Sequence, residues 1–119
     1  MDAPTDIVLH NKSRTLEVVY TDGVTYSLPL EYLRVYSPSA EVRGHGGPME
    51  LVTGKREIGV TEIEPVGNYA IQLHFDDGHN TGIYSWETLR ELGAAYETNW
   101  NDYLERLRAA GGSRDRLWH

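Results

Sequence analysis

Five histidines, and the serines, carboxylates and arginines near two of them, are where this chain could do chemistry. His45 lies in the glycine-rich run RGHGGP, and His79 follows the Asp77-Gly78 pair in FDDGHN. With Asp76 or Asp77, these two histidines would offer a metal ion a mixed set of nitrogen and oxygen ligands. The plain alternative is that they are solvated turn residues. Arg34, Ser37, Ser39, Glu41 and Arg43 stand near His45 in sequence. A Ser–His nucleophile pair can be assembled from these types, but spacing within a loop does not specify one. HExxH and GxSxG motifs are absent, and RGHGGP precedes no clear helix, so it is not a dinucleotide fingerprint. No catalytic constellation follows, and a non-enzyme is expected. His10 and His119 are expected in solvent, and His74 on the polar side of a strand.

Strands and turns must position these residues. Ile71, Leu73 and Phe75 alternate with Gln72, His74 and Asp76, the period of a half-buried strand. Asp77-Gly78 then predicts a tight hairpin turn, Ile83 to Trp86 a return strand, and Ser85 a helix cap. Earlier in the chain, strands are expected at 6–10, 14–20 and 24–28, with a turn at Thr21-Asp22-Gly23. A short helix follows from Pro29 to about Val35. Residues 36–48 have no period and read as an exposed loop. A strand is expected over 55–64 and a turn at 65–68. From Trp86 to about Ala110 the pattern is helical, interrupted near Gly93 and closed by Gly111-Gly112. Trp86 is expected to be largely buried. Trp100, Tyr103, Leu104 and Leu107 form an apolar stripe; the aromatics Tyr84, Trp86, Tyr96, Trp100 and Tyr103 read mostly as core, and the alternative leaves Tyr96 or Trp100 exposed in a binding groove.

An internal repeat runs through this pattern. LEVVYTDGVTYSLPLEYLR (16–34) lies over IQLHFDDGHNTGIYSWETLR (71–90), with one extra residue in the second copy. Asp22-Gly23 falls on Asp77-Gly78, and Leu33-Arg34 on Leu89-Arg90. Two hairpin-plus-helix units sharing one core would produce this; so would any two hairpins with a DG turn. The fold class expected is α+β, a mainly antiparallel sheet built from two such units with a C-terminal helical extension. The expected parts are a tail at 1–5, a domain at 6–93, the extension at 94–112 and a mobile tail at 113–119.

Composition narrows the functional classes. The 119 residues carry a net charge of −7, from 11 basic and 18 acidic side chains. That balance disfavours nucleic acid and anionic membranes as partners. There is no cysteine, which excludes disulfides, thiolate metal sites and cysteine nucleophiles. Residues 1–9 lack the basic and apolar regions of a signal peptide, so a cytoplasmic location is expected.

LEVVYTDGVTYSLPLEYLRVYSPSAEVRGHG, followed by IQLHFDDGHNTGIYSWETLRELG, resembles the small N-terminal domain of gamma-butyrobetaine and trimethyllysine hydroxylases. The same domain occurs as stand-alone bacterial proteins of the DUF971 type, and it is similar to an extension of some iron–sulfur carrier ATPases. The resemblance covers about residues 6–93 and is most specific at LRVYSPSAE and DGHNTGIYSWETLR. In the eukaryotic hydroxylases it implies a zinc site of three cysteines and a histidine. Those positions correspond approximately to Ser37, Ser39, Val42 and His79 here. With the thiolates missing, the resemblance implies that this zinc is absent and that no cofactor is expected. It also implies an accessory domain that binds an unidentified protein or small ligand, at a face made of Arg34, Ser37, Ser39, Glu41, His45 and His79. The alternative is a metal-binding module tied to iron–sulfur or iron-enzyme assembly, using His45, His79 and Asp77.

Overall fold

The alternation of apolar residues in 6–29 and again in 60–85 builds two antiparallel sheets, and each sheet hands over directly to a helix. The computed structural model describes residues 3–39 and 51–115. Strands β1 (Asp6–His10), β2 (Thr15–Val19) and β3 (Thr25–Pro29) form one three-stranded sheet in the order β1-β2-β3. Helix α1 (Leu30–Val35) follows at once. Strands β4 (Val60–Val66), β5 (Ala70–Phe75) and β6 (Ile83–Ser85) form the second sheet, β4-β5-β6. Helices α2 (Trp86–Ala94) and α3 (Tyr96–Ala110) complete the chain. The fold is α+β, two small sheets with helices, as the pattern predicts.

Local chemistry sets these boundaries. Ser85 caps α2, its hydroxyl accepting the Thr88 N–H at 3.0 Å. Helix α3 ends at Gly111, which takes the left-handed conformation at φ 68°. Pro29 is the last residue of β3 and the cap position of α1, not its first helical residue. Strand β4 starts five residues later than expected, at Val60, and runs through Pro65. Proline is tolerated there because β4 is an edge strand, where one N–H needs no ladder partner. The break between the last two helices falls at Ala95, just after Gly93.

The repeat is real in three dimensions. Pairs Leu16↔Leu28 and Glu17↔Ser27 in the first sheet correspond to Ile71↔Tyr84 and Gln72↔Ile83 in the second. The two turns match bond for bond. Gly23 N–H donates to Tyr20 O at 3.0 Å, and Gly78 N–H to Phe75 O at 3.2 Å. The Asp22 carboxylate accepts the Val24 N–H, as the Asp77 carboxylate accepts the His79 N–H. Both glycines need positive φ, 86° and 89°. The halves then exchange ion pairs. Arg34, at the end of α1, reaches across to Asp77 in the second turn (2.9 Å), and Arg90, in α2, reaches back to Asp22 in the first (2.7 Å).

One core lies between the halves, with Leu16, Val18, Leu33, Leu73, Tyr84 and Leu89 at its centre. Helix α3 belongs to it through Tyr103 and Leu107, both buried, while Leu104 of the expected stripe faces outward at 37% exposure. Trp86 is only half-buried, because it opens α2 at the sheet edge and its indole N–H donates to Asn68 O at 2.9 Å. The expected mobile tail is tied down as far as Asp115. Gly54 N–H and Arg56 N–H donate to the carbonyls of Ser113 and Arg114, and the Arg114 guanidinium grips Glu31 with both nitrogens while lying over Trp100.

Gly93 tests the joint between the halves. A Cβ there would stand 2.5 Å from Cγ of Tyr26, the stiff base of a ring. Gly93→Ala should therefore destabilise the protein by about 1–3 kcal/mol, although alanine gains about 1 kcal/mol in a helix interior; urea unfolding checks the sign.

Candidate functional site

The last turn of α1 and the chain leaving it carry Arg34, Ser37 and Ser39, while the β5–β6 turn carries Asp77, His79 and Thr81. The exchange of ion pairs described above presses these two segments together. Ser37 Oγ and His79 Nε2 share a hydrogen bond of 2.9 Å, although the residues are 42 apart in sequence. Ser37 Oγ also accepts the Ser39 N–H at 3.3 Å, and Ser39 Oγ meets Thr81 Oγ1 at 2.6 Å. Ser37 is fully buried, and Ser39 and His79 are 6% exposed. The His79 ring lies 6.0 Å from the Phe75 ring.

Charge surrounds this polar cluster on one side. Asp77 Oδ2 takes both Arg34 Nε at 2.9 Å and Lys55 Nζ at 2.6 Å. Burial pushes the Asp77 carboxyl up, but Lys55, the His79 N–H and Arg34 together outweigh it and hold the carboxyl at about 2. Arg34 Nη1 is buried and has no hydrogen-bond partner among the described residues. Two open clefts flank the cluster. One, of about 600 Å³, is lined by Arg14, Lys55, Arg56, Asp76 and Asp77. The other, of about 590 Å³, runs past Tyr36 and Pro38 to Leu92, Asn99 and Arg106.

The pseudo-symmetry supplies an internal control. Counting outward from the matched Arg34 and Arg90, Ser37 falls on Gly93 and Gly82 on Tyr26; counting from the matched DG turns, on the other side of the extra residue, His79 falls on Val24. In the first half the ring of Tyr26 packs against Gly93 and, edge to face, against Tyr20 at 6.3 Å. In the second half Gly82 leaves that ring out, and a Cβ on it would stand 2.5 Å from Ser37 Oγ. The imidazole of His79 and the Ser37 hydroxyl occupy the second half instead. The same fold position is thus filled by apolar packing once and by a buried polar pair once. A buried hydroxyl and imidazole add little net stability over apolar packing, and each is costly if its partner is lost.

Of the residues singled out from sequence, Arg34, Ser37, Ser39, Asp77 and His79 come together. Glu41 and His45 lie outside the described residues. His10 is in solvent beside Glu17, and His74 is half-buried. Lys55, Thr81 and Gly82 were missed. Thr81 and Gly82 carried a signal, because they fall on Thr25 and Tyr26 in the repeat, and a Tyr-to-Gly change at a strand position leaves a volume to be filled. Lys55 carried none, since it comes from an irregular segment 22 residues before its partner.

Two outcomes check this geometry. Gly82→Ala should cost about 1–3 kcal/mol by overpacking against Ser37 and Tyr84, and Ser37→Gly in the same chain should recover part of that loss in urea unfolding. Asp77 titrates at about 2 when folded, against an ordinary 3.8. Its contribution is therefore complete above pH 4 and lost as pH falls toward 2. In Asp77→Asn, acid unfolding should lose that portion of its pH dependence, and neutral-pH stability should drop by roughly 2 kcal/mol, because Arg34 and Lys55 lose a shared acceptor.

The family described as gamma-butyrobetaine hydroxylase-like, N-terminal, matches residues 7–90. No curated protein matches the chain. A protein solved by solution NMR is 47% identical, covers 100% of this chain and 94% of its own, and superposes with a TM-score of 0.85. A second NMR structure is 50% identical over 99% of this chain and 89% of its own, with a TM-score of 0.84. A crystal structure of a DUF971 family protein of unknown function from Acidithiobacillus ferrooxidans is 48% identical. It covers 76% of this chain and 92% of its own, with a TM-score of 0.66. With the repeat, the DG turns and the LR pairs all in the matched stretch, this chain belongs to the gamma-butyrobetaine hydroxylase-like N-terminal domain family.

Proposed function

We propose that this chain is a non-enzymatic accessory domain that binds a protein partner or small ligand at the face around Ser37, Ser39 and His79, with Arg34 alongside; Glu41 and His45, which follow Ser39 in the sequence, are proposed as further members. The observation that carries the reading is the buried Ser37–His79 pair, standing where the sister half has Tyr26 against Gly93. The fold accommodates apolar packing at that position, so folding alone does not call for the polar pair. Tyr36 and Pro38, on either side of Ser37, line an open groove in which a partner segment would lie next to the cluster.

A hydrolytic role has less support. Ser37 Oγ is fully buried and crowded by the Gly82 backbone, so no substrate carbonyl has room beside it. A metal module through His79 and Asp77 has less support as well, because Ser37 engages His79 Nε2, and Arg34 and Lys55 engage Asp77. Hydroxylase activity is not carried over, since the matched region is by description the N-terminal part of such proteins. No described helix is long and apolar enough to cross a membrane, and the cytoplasmic location expected from sequence belongs to this proposal.

The test is co-purification from native lysate with the double change Ser37→Ala and His79→Leu. Removing both members takes away both sides of the Ser37–His79 bond at once and leaves the Ser39 N–H without its Ser37 acceptor, so the variant's fold is checked by its NMR spectrum before recovery is compared. A partner recovered reproducibly by the unaltered chain should be lost. Equal recovery by the folded variant would refute the assignment of this face.

A further inference from the structure

We propose that Glu62, Glu64 and His74 form a binding site for a divalent first-row transition-metal ion on the polar face of the second sheet. The three side chains offer ligand atoms that all lie within 4.8 Å of one another. Glu62 and Glu64 are two apart on edge strand β4 and so share a face, and Glu62 stands directly opposite His74 on β5. An irregularity between Val60 and Glu62 sets this register. An inserted residue of this kind re-aims the side chains after it. Here it turns both carboxylates toward the imidazole.

His74 Nε2 supplies the nitrogen donor of the set. The atom is shut off from water, makes no hydrogen bond among the described residues, and is paired with Glu64 Oε1 at 3.2 Å. An imidazole nitrogen held this close to two carboxylates combines the nitrogen and oxygen donors that a first-row ion takes. Among the described residues no Lys or Arg ion-pairs with Glu62 or Glu64, so the local negative charge is left for a cation. One nitrogen and two carboxylate oxygens select zinc, iron or manganese over calcium and magnesium, which prefer all-oxygen shells. Ligands about 2.0–2.2 Å from zinc lie at most about 4.4 Å apart. The Glu64 side chain, 47% exposed, turns freely enough to close that gap. Three protein ligands leave the remaining positions to water, so the ion would be exchangeable rather than a structural closure.

The probe is Zn²⁺ alone, titrated calorimetrically into the whole chain, with the His74 ring nitrogens followed by NMR. We expect one saturable ion per chain and a shift of the His74 Nε2 resonance at the same stoichiometry. Glu62→Gln/Glu64→Gln should weaken binding by at least about tenfold, since even groups that only orient a ligand cost that much. His10→Gln, at a separate exposed histidine, should bind as the unaltered chain does. Absence of saturable binding, an unmoved His74 resonance, or undiminished affinity in the folded Glu62→Gln/Glu64→Gln chain would overturn the proposal.

Discussion

Two arginines reach across the molecule to two aspartates, and each pair joins the helix of one half to the turn of the other. Neither bond is strong by itself. The Arg90–Asp22 pair is exposed and screened, whereas Asp77, with its side chain 17% exposed, holds Arg34 and Lys55 in a less polar setting. What matters is reciprocity. Each helix reaches the opposite turn, so the two units face one another across the shared core. The ion pairs therefore fix which turn faces which helix, while burial of Leu33, Leu73, Tyr84 and Leu89 supplies the stability.

That arrangement makes two equivalent niches behind the two arginines, and the chain fills them differently. One holds Tyr26 against Gly93, a ring against a missing side chain. The other holds His79 against Ser37, with Gly82 giving up the ring. Because the niches share a backbone frame, the contrast isolates side-chain chemistry from fold. An apolar solution is present in the same molecule, and this contrast is what supports the proposal that the polar half has a role beyond packing. Ser39 and Thr81 extend the polar niche toward the surface, where it meets the groove beside Tyr36 and Pro38.

Much of this was legible in the residues. Alternation located the strands, DG turns located the hairpins, and the overlay of 16–34 on 71–90 exposed the symmetry. His79 was placed near the segment after Leu33-Arg34 through family resemblance, and the 2.9 Å bond to Ser37 bears out that proximity. What could not be read were features set by long-range packing. Lys55 reaches Asp77 from an irregular segment whose path no periodicity specifies. Trp86 looked like core because it stands where strand becomes helix in the most patterned stretch of the chain, but as the first residue of α2 it lies at the sheet edge. Residues 113–115 looked like a loose end, since backbone bonds to residues 54–56 leave no trace in composition. The Glu62–Glu64–His74 group was hidden by a single-residue irregularity, which decides which face each side chain takes.

The claim at the centre of this account is that the polar niche is not needed for folding. It is tested most directly by urea unfolding of a chain in which the second niche takes the residues of the first: Ser37→Gly, His79→Val and Gly82→Tyr. The account predicts a cooperative transition with stability equal to or above that of the unaltered chain. A loss of several kcal/mol, or failure to fold, would mean that the Ser37–His79 pair is a structural requirement and would contradict it.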